Sequence, residues 1–189
     1  MLQACKFIKE LEDKDIDGIK VAVNISIIQL LHKDFTEQLL KIIEGIGIRP
    51  ENLELEITES NLIGNYQVIN EKLDGLKDMG ISISLDDFGT GYSSLARLEN
   101  LNIDVLKIDK SFIDNIENSD EEDVLIRSII LLAKQLELEV VAEGVETHEQ
   151  RESLIAGGCN IMQGYLFSRP VTKAKVIEFI KKYKGGVSL

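Results

Sequence analysis

Short apolar runs alternate with longer segments of helical period along this chain of 189 residues. The short runs predict strands at residues 21–23, 53–55, 81–85, 104–106, 140–142 and 159–162. Each run is followed at once by a polar residue, and these residues are Asn24, Glu56, Asp86, Lys107, Glu143 and Gln163. Because an ionised side chain is costly to bury without a partner, we expect the strands to end at these positions.

The segments between the runs predict helices, because apolar residues recur there at three- and four-residue spacing. The expected helices occupy residues 35–46, 68–79 and 124–138, a stretch after Thr147 that ends at residues 157–158, and residues 172–183. Ser119 with Glu122, and Thr147 with Gln150, have the spacing of capping boxes. Regular alternation of strands and helices indicates βαβ units and a parallel sheet in a single domain.

Two architectures fit parallel strands whose carboxyl ends carry functional residues. A doubly wound open sheet binds ligands at the crevice where the strand order reverses. A (β/α) barrel points all its strand ends at one centre, which suits a chain in which every strand end carries a candidate. We therefore favour a barrel. A complete eight-stranded barrel needs about 250 residues, so this chain, with six strand–helix units, is expected to form an incomplete one.

The most informative segment is the acid pair Asp86–Asp87, which follows a strand and precedes a loop with two glycines, Gly89 and Gly91. Carboxylates in that position indicate a cation site at the mouth of an α/β fold. The chain has only two histidines, neither beside these acids, and no clustered thiols. An all-oxygen site favours Mg²⁺, Mn²⁺ or Ca²⁺ over zinc.

Composition narrows the function further. The formal net charge of −12 argues against a nucleic-acid polymer as the partner, since such a partner requires a basic face. No apolar stretch approaches the roughly 20 residues of a membrane span, and no signal peptide is visible. Cys5 and Cys159 are far apart and are expected to be buried thiols, which makes the cytoplasm the simplest location.

Strand-end acids beside a lysine would also suit an enolase-like metal enzyme that acts on a carboxylate substrate. That chemistry uses single acids on successive strands, whereas here two acids are adjacent and precede a glycine-rich loop. These features count against an enolase-like enzyme.

Six motifs, in this order along the chain, resemble the signatures of the EAL-domain cyclic di-GMP phosphodiesterases. They are residues 23–26 (VNIS), 56–59 (EITE), 86–95 (DDFGTGYSSL), 106–109 (LKID) with 111–112 (SF), 142–147 (AEGVET), and 163–167 (QGYLF) with Pro170. The resemblance extends over nearly the whole chain. It implies a modified (β/α)8 barrel with one antiparallel strand, and metal-dependent hydrolysis of cyclic di-GMP to linear pGpG.

The resemblance also implies roles for the strand-end residues around two Mg²⁺ or Mn²⁺ ions. Asp86 would bridge the ions, with Asn24 and Glu56 on one of them and Asp87 and Glu143 on the other. Lys107 and Gln163 are expected to act beside Glu143 in catalysis, Lys107 by positioning the attacking water and Gln163 by hydrogen bonding to water or substrate. A structural salt bridge for Lys107 and a strand-end amide for Gln163 are the simpler alternatives.

Five further residues are expected to contact the substrate or order a loop: Glu59, Asp109, Glu146, Tyr165 and Pro170. Glu59 is expected to stabilise the loop 86–95 rather than to bind metal, because it lies three residues beyond the predicted strand end. For Glu146, a plain acid at a helix start is an equally good interpretation. Tyr165 and Pro170, with Phe167, would border a guanine, although aromatic residues just past a strand commonly belong to the core.

The sequence departs from the family pattern in one respect, since it has no Glu-Ala-Leu triplet and no arginine after one. Residues 1–189 are therefore expected to be an EAL domain that lacks its first two strands and hydrolyses cyclic di-GMP feebly or not at all. The alternative function is a non-catalytic module that binds cyclic di-GMP or a protein. The expected partners are cyclic di-GMP, a second copy in a homodimer, and an N-terminal sensor or GGDEF-type domain in the natural protein.

Overall fold

The structure is a computed structural model that describes residues 1–59, 66–89, 98–116 and 120–184, with no side-chain description at 120–123, 183 and 184. Its strands are β1 (Val21–Asn24), β2 (Leu53–Thr58), β3 (Ser82–Phe88), β4 (Val105–Ile108), β5 (Glu139–Ala142) and β6 (Ile161–Met162). Its helices are α1 (Leu2–Glu12), α2 (Ile27–Leu31), α3 (Phe35–Ile46), α4 (Tyr66–Lys77), α5 (Lys110–Ile113), α6 (Asp120–Gln135), α7 (His148–Gly157) and α8 (Lys173–Lys184), and a 3₁₀ turn spans Pro50–Asn52. Within the described ranges, none of the helices is long and apolar enough to cross a bilayer.

The six strands form one parallel sheet in sequential order, so each strand pairs with its neighbours in the chain. The register places Leu55 opposite Ile83, and Leu106 opposite Val140. A parallel sheet of this order curls with its helices outside, and the result is a half-barrel with β1 and β6 at its two edges. The predicted parallel sheet and incomplete barrel are both confirmed.

Side chains alternate between the two faces of the strands, which sets the position of the site. On β2, Leu53, Leu55 and Ile57 are fully buried and belong to the hydrophobic core. The residues between them, Glu54 and Glu56, lie on the opposite, inner face of the half-barrel. Apolar residues therefore hold the helices against the sheet, while polar residues of the same strands line its inner face.

The predicted strand ends are correct for β5 and β6, which stop before Glu143 and Gln163, and wrong for the other four strands. β1 includes Asn24. β2 continues through Glu56 to Thr58, β3 includes both Asp86 and Asp87, and β4 includes Lys107. These polar residues lie within the strands, on the inner face of the half-barrel, and do not end them. Successive side chains of a strand point to opposite faces, so a strand can continue past a polar residue whose side chain lies among other polar side chains on the inner face. Glu59 consequently follows β2 directly, and the long reach expected for it was an error.

The predicted helices agree closely with the structure. α3 has the expected bounds, and Thr147 caps α7 through a capping box with Gln150, while Gly158 ends it in the left-handed conformation (φ 87°). The capping box expected at Ser119 and most of the loop 86–95 lie outside the described residues. The short helices α2 and α5 were not predicted.

Candidate metal centre and active site

Lys107 lies at the centre of three carboxylates from three strands. Its Nζ atom is 2.5 Å from Glu56 Oε1, 2.5 Å from Glu143 Oε1 and 3.2 Å from Asp86 Oδ1. Only 8% of the Lys107 side chain is exposed, so this cluster is largely shielded from water. Parallel strands 4.7–4.9 Å apart bring residues at equal height on the inner face into contact, which is why residues distant in sequence meet here.

The electrostatics of the cluster keep Lys107 charged. Burial by itself lowers the pKa of Lys107, but hydrogen bonds to Glu143 and Glu56 and the charges of both outweigh it and raise the pKa above the usual value. Burial also raises the pKa of Glu143, an effect that the Lys107 ammonium offsets only in part. Lys107 is therefore a cationic hydrogen-bond donor in this structure, and Glu143 is the better proton acceptor of the two.

A β-bulge brings the adjacent acids Asp86 and Asp87 to the same centre. On a regular strand their side chains would point to opposite faces. Here the β3–β4 register shifts between Leu85 and Phe88, and Asp87 adopts a left-handed backbone with φ 56°. A bulge of this kind re-aims one side chain. As a result, carboxylate oxygens of Asp86, Asp87 and Glu143 all lie within 4.8 Å of one another.

The three acids fit a divalent cation. All three are half-buried, and together they offer only hard oxygen donors, the kind that Mg²⁺, Mn²⁺ and Ca²⁺ prefer. Asp86 Oδ1 is buried and accepts no hydrogen bond from a described residue, although the Lys107 ammonium lies 3.2 Å away as an ion-pair partner. Burial and the negative charge of Asp86 raise the pKa of Asp87, and a bound cation would relieve that repulsion.

Asn24 and Glu56 form a second group next to the first. Asn24 Nδ2 donates to Glu56 Oε2 at 2.9 Å, while the other oxygen of Glu56 accepts from Lys107. The structure thus brings all five predicted metal ligands to one end of the sheet. Lys107 connects the Asn24–Glu56 group to the three clustered acids.

Glu59 and Asp109 organise the backbone beside the acids. Glu59 is 3% exposed, and its Oε2 accepts a hydrogen bond from the Gly89 backbone N–H at 2.6 Å. Asp109 is the N-cap of α5, where its Oδ1 accepts from the Ser111 backbone N–H at 3.0 Å. In these contacts Glu59 holds the start of the loop after β3, and Asp109 fixes the start of a helix.

A hollow of about 690 Å³ opens beside Glu143, at the carboxyl ends of β5 and β6. It contains all the remaining predicted residues, and its lining includes Glu143, Glu146, Gln163, Tyr165 and Pro170. Sequence reasoning missed two cations in the same lining, Lys110 and Arg169. Both directly adjoin residues that it had singled out, Asp109 and Pro170, and that adjacency was the available signal.

Within the hollow, the predicted residues have defined partners. Gln163 donates its side-chain N–H to Glu143 Oε1, which orients the carboxylate. Glu146 forms an ion pair with Lys110. Tyr165 is 53% exposed and stacks under the guanidinium of Arg169, so it lies on the surface of the hollow rather than in the core.

Gly164 allows the backbone next to Gln163 to pack closely against the backbone of Val145. A Cβ atom at Gly164 would lie 2.1 Å from the Val145 carbonyl oxygen and 2.3 Å from the Val145 nitrogen, so only glycine permits this approach. Val145 in turn donates its N–H to the Gln163 carbonyl and accepts from the Leu166 N–H, each at 3.0 Å. These hydrogen bonds and the close contact at Gly164 fix the backbone around Gln163 against Val145, at the end of β6.

We expect Gly164→Ala to destabilise the protein by about 1–3 kcal/mol, the usual cost of forcing extra volume into a packed site. Gly75→Ala is the matched control, since Gly75 lies in α4 and a Cβ there meets nothing within 4 Å. That change should stabilise the protein by about 0.5–1 kcal/mol. Urea unfolding of both variants measures the difference in the free energy of unfolding. Equal stabilities would show that Gly164 is not tightly packed against Val145.

The class of protein that this fold and site define is a (β/α)-barrel protein with an acidic centre at the carboxyl ends of its strands. The family model of the EAL domain matches residues 1–170. The chain is 40% identical over 182 residues to the cyclic di-GMP phosphodiesterase NbdA of Pseudomonas aeruginosa, which covers 96% of this chain and 23% of NbdA. This protein belongs to the EAL domain family.

Solved structures agree with that assignment. The EAL domain of Mycobacterium smegmatis DcpA superposes with a TM-score of 0.91 at 33% identity, covering 96% of this chain and 82% of that one. Klebsiella pneumoniae BlrP1 superposes with a TM-score of 0.81 at 30% identity, covering 90% of this chain, in both a manganese/cyclic di-GMP complex (44% of that chain) and a calcium/cyclic di-GMP complex (43%). This chain thus spans about a quarter of NbdA and less than half of BlrP1.

Proposed function

We propose that this chain is a phosphodiesterase module that hydrolyses cyclic di-GMP to linear pGpG with two Mg²⁺ or Mn²⁺ ions. The observation that carries the proposal is the cluster of Asp86, Asp87 and Glu143 oxygens within 4.8 Å, beside the buried Lys107. Similarity to NbdA, a cyclic di-GMP phosphodiesterase, supports the choice of substrate. The manganese complex of BlrP1 supports the choice of a hard divalent cation.

Five residues would hold the ions, and Lys107 would position the attacking water. Asp86, Asp87 and Glu143, with Asn24 and Glu56, would hold the ions, which when bound polarise the phosphodiester and activate a water. Lys107 stays protonated and would donate hydrogen bonds that position the attacking water.

Glu143 and Gln163 would complete the catalytic group. Glu143, a carboxylate in contact with Lys107 and next to Asp86 and Asp87, would accept a proton from that water. Gln163 would hold the Glu143 carboxylate in orientation through its hydrogen bond.

The surrounding residues would bind substrate or order the site. Tyr165 and Pro170 would border the nucleotide in the hollow, Glu146 would shape its rim, and Glu59 and Asp109 would hold the backbone beside the metal ligands. For the whole protein we propose a cytoplasmic location, a homodimer, and an attached sensor or diguanylate-cyclase-type domain. The relative MucR, a bifunctional diguanylate cyclase/cyclic di-GMP phosphodiesterase, supports the attached domain.

The test is incubation of the chain with cyclic di-GMP and Mn²⁺, followed by chromatographic separation of the linear product. Because the sequence has no Glu-Ala-Leu triplet, we expect product to form only slowly. Its formation should stop with EDTA and fall further, by up to about 10²–10³-fold, in Glu143→Gln, which removes one preorganised charged group. Glu152→Gln, in exposed α7, is the matched control and should leave the rate unchanged. Binding of cyclic di-GMP without any product would instead support the non-catalytic binding module.

A further inference from the structure

The hollow beside Glu143 has two chemically different ends. At one end, Glu143 and Gln163 belong to the proposed catalytic centre. At the other, Tyr165 and Pro170 present flat apolar surface next to the guanidinium of Arg169. A volume of about 690 Å³ holds a nucleotide, so a ligand whose phosphate lies at the acidic end would place its base at the aromatic end.

Arg169 is held in place and still has donors to offer. Its guanidinium carbon lies 4.7 Å from the centroid of the Tyr165 ring, which is cation–π contact. Among the described residues, no carboxylate and no hydrogen-bond acceptor pairs with its side chain. Lys110, the other cation of the hollow, is already bound to Glu146 and lies 3.8 Å from Asp114. The contact with Tyr165 restricts the guanidinium, and its N–H donors have no acceptor among the described residues.

We propose that Arg169 reads the guanine base of the cyclic dinucleotide by donating to its O6 and N7 atoms, and is thereby a specificity-determining residue. The planar guanidinium matches that pair of acceptors, whereas adenine presents an N6 donor in place of the O6 acceptor. This inference rests on the proposed function, since it takes cyclic di-GMP as the ligand. It goes further by assigning base recognition to a residue outside the metal centre.

The arrangement explains why the base contact falls to an arginine and not to a lysine. A lysine ammonium is a point charge that would neither stack on Tyr165 nor present two parallel donors. Arg169→Lys therefore keeps the charge and removes the recognition. Since Arg169 is exposed and makes no ion pair with a described residue, the change should leave the melting temperature of the protein unaltered.

The test is isothermal titration calorimetry of the whole chain with cyclic di-GMP and with cyclic di-AMP in Ca²⁺, the cation of one BlrP1 complex. In Arg169→Lys, we expect the Kd for cyclic di-GMP to rise about 10-fold, the discrimination that one bidentate base contact provides. The Kd for cyclic di-AMP should stay the same, so the preference for guanine falls by the same factor. Arg151→Lys, beside the separate hollow that contains Phe167, is the matched control and should change neither Kd.

Each other outcome overturns the assignment in a recognisable way. An equal loss of affinity for both dinucleotides would show that Arg169 contacts a part that the two ligands share, such as the phosphate, and not the guanine. An unchanged Kd for cyclic di-GMP in Arg169→Lys would remove the residue from recognition, while the proposed function would stand. If the parent chain binds neither dinucleotide, the proposed function fails, and the inference fails with it.

Discussion

Lys107→Met is expected to unfold well below the parent chain in EDTA and to lose more stability at pH 8 than at pH 5. The substitution keeps most of the buried stem but removes the only cation in contact with Glu56, Asp86 and Glu143 among the described residues. Breaking a buried ion pair by deleting one partner typically costs about 3–5 kcal/mol, because the remaining charge is left without compensation.

The pH dependence follows from the carboxylates that remain. Lys107 holds down the pKa of Glu143, which burial alone already raises. Without the ammonium, the folded-state pKa rises further above the unfolded value, so the folded protein binds more protons than the unfolded one between those two values. The free energy of unfolding then falls as pH rises through this window. Below the unfolded pKa the carboxyl is neutral in both states, and the penalty disappears.

Thermal melts at the two pH values, with and without Mn²⁺, measure the effect. A divalent cation that binds only the folded state should restore much of the loss, because it supplies positive charge to the same acids. Lys77→Met is the matched control, since the Lys77–Asp104 pair (2.7 Å) is partly exposed and is worth about 0–1 kcal/mol. Equal melting temperatures for the two variants would contradict the buried role of Lys107.

The fold was largely predictable because its elements carry local signals. Residues 35–46 show a clear helical period, and the Thr147–Gln150 spacing marks a capping box, and both elements were found as expected. The same reasoning could have found α2, since Ser26 and Gln29 form a capping box there. Helix α5 spans only four residues, too few for a periodic signal. Its cap, Asp109, was predicted only as a residue that contacts the substrate or orders a loop.

The sequence predicts which residues form the candidate site but not how they are arranged. Glu56 and Lys107 interrupt otherwise apolar strands, which identifies them as inner-face residues. The outer face of each strand packs against helices and has to be apolar. The bulge at Asp86–Asp87 depends on the register between β3 and β4, which is a long-range pairing that no local pattern encodes. Arg169 was missed because an exposed arginine is unremarkable until the structure shows the ring beneath it.

Asp87→Asn is expected to weaken metal binding without weakening the metal-free fold, because Asp87 belongs to one of the two proposed ion sites. Asparagine has the same shape as aspartate and tolerates the left-handed backbone that Asp87 adopts at φ 56°. Burial and the charge of Asp86 raise the pKa of Asp87, so its ionised form opposes folding increasingly as pH rises through the folded-state pKa. The amide removes that repulsion, and the melting temperature in EDTA should stay the same or rise.

The loss should appear only when a cation is added. In the parent chain Mn²⁺ should raise the melting temperature, as any ligand specific for the folded state must. In Asp87→Asn that rise should be clearly smaller, and hydrolysis of cyclic di-GMP should fall by about 10²–10³-fold. Asp86→Asn should lose most of the rise.

Asp15→Asn is the matched control, because Asp15 also has a left-handed backbone (φ 54°) but lies in an exposed turn after α1. Its melting temperature should rise with Mn²⁺ as much as that of the parent. If Asp87→Asn still gains the full rise, Asp87 is not a metal ligand. The bulge at Asp87 would then have only a structural role. The remaining proposed metal ligands would be Asp86, Glu143 and the Asn24–Glu56 group.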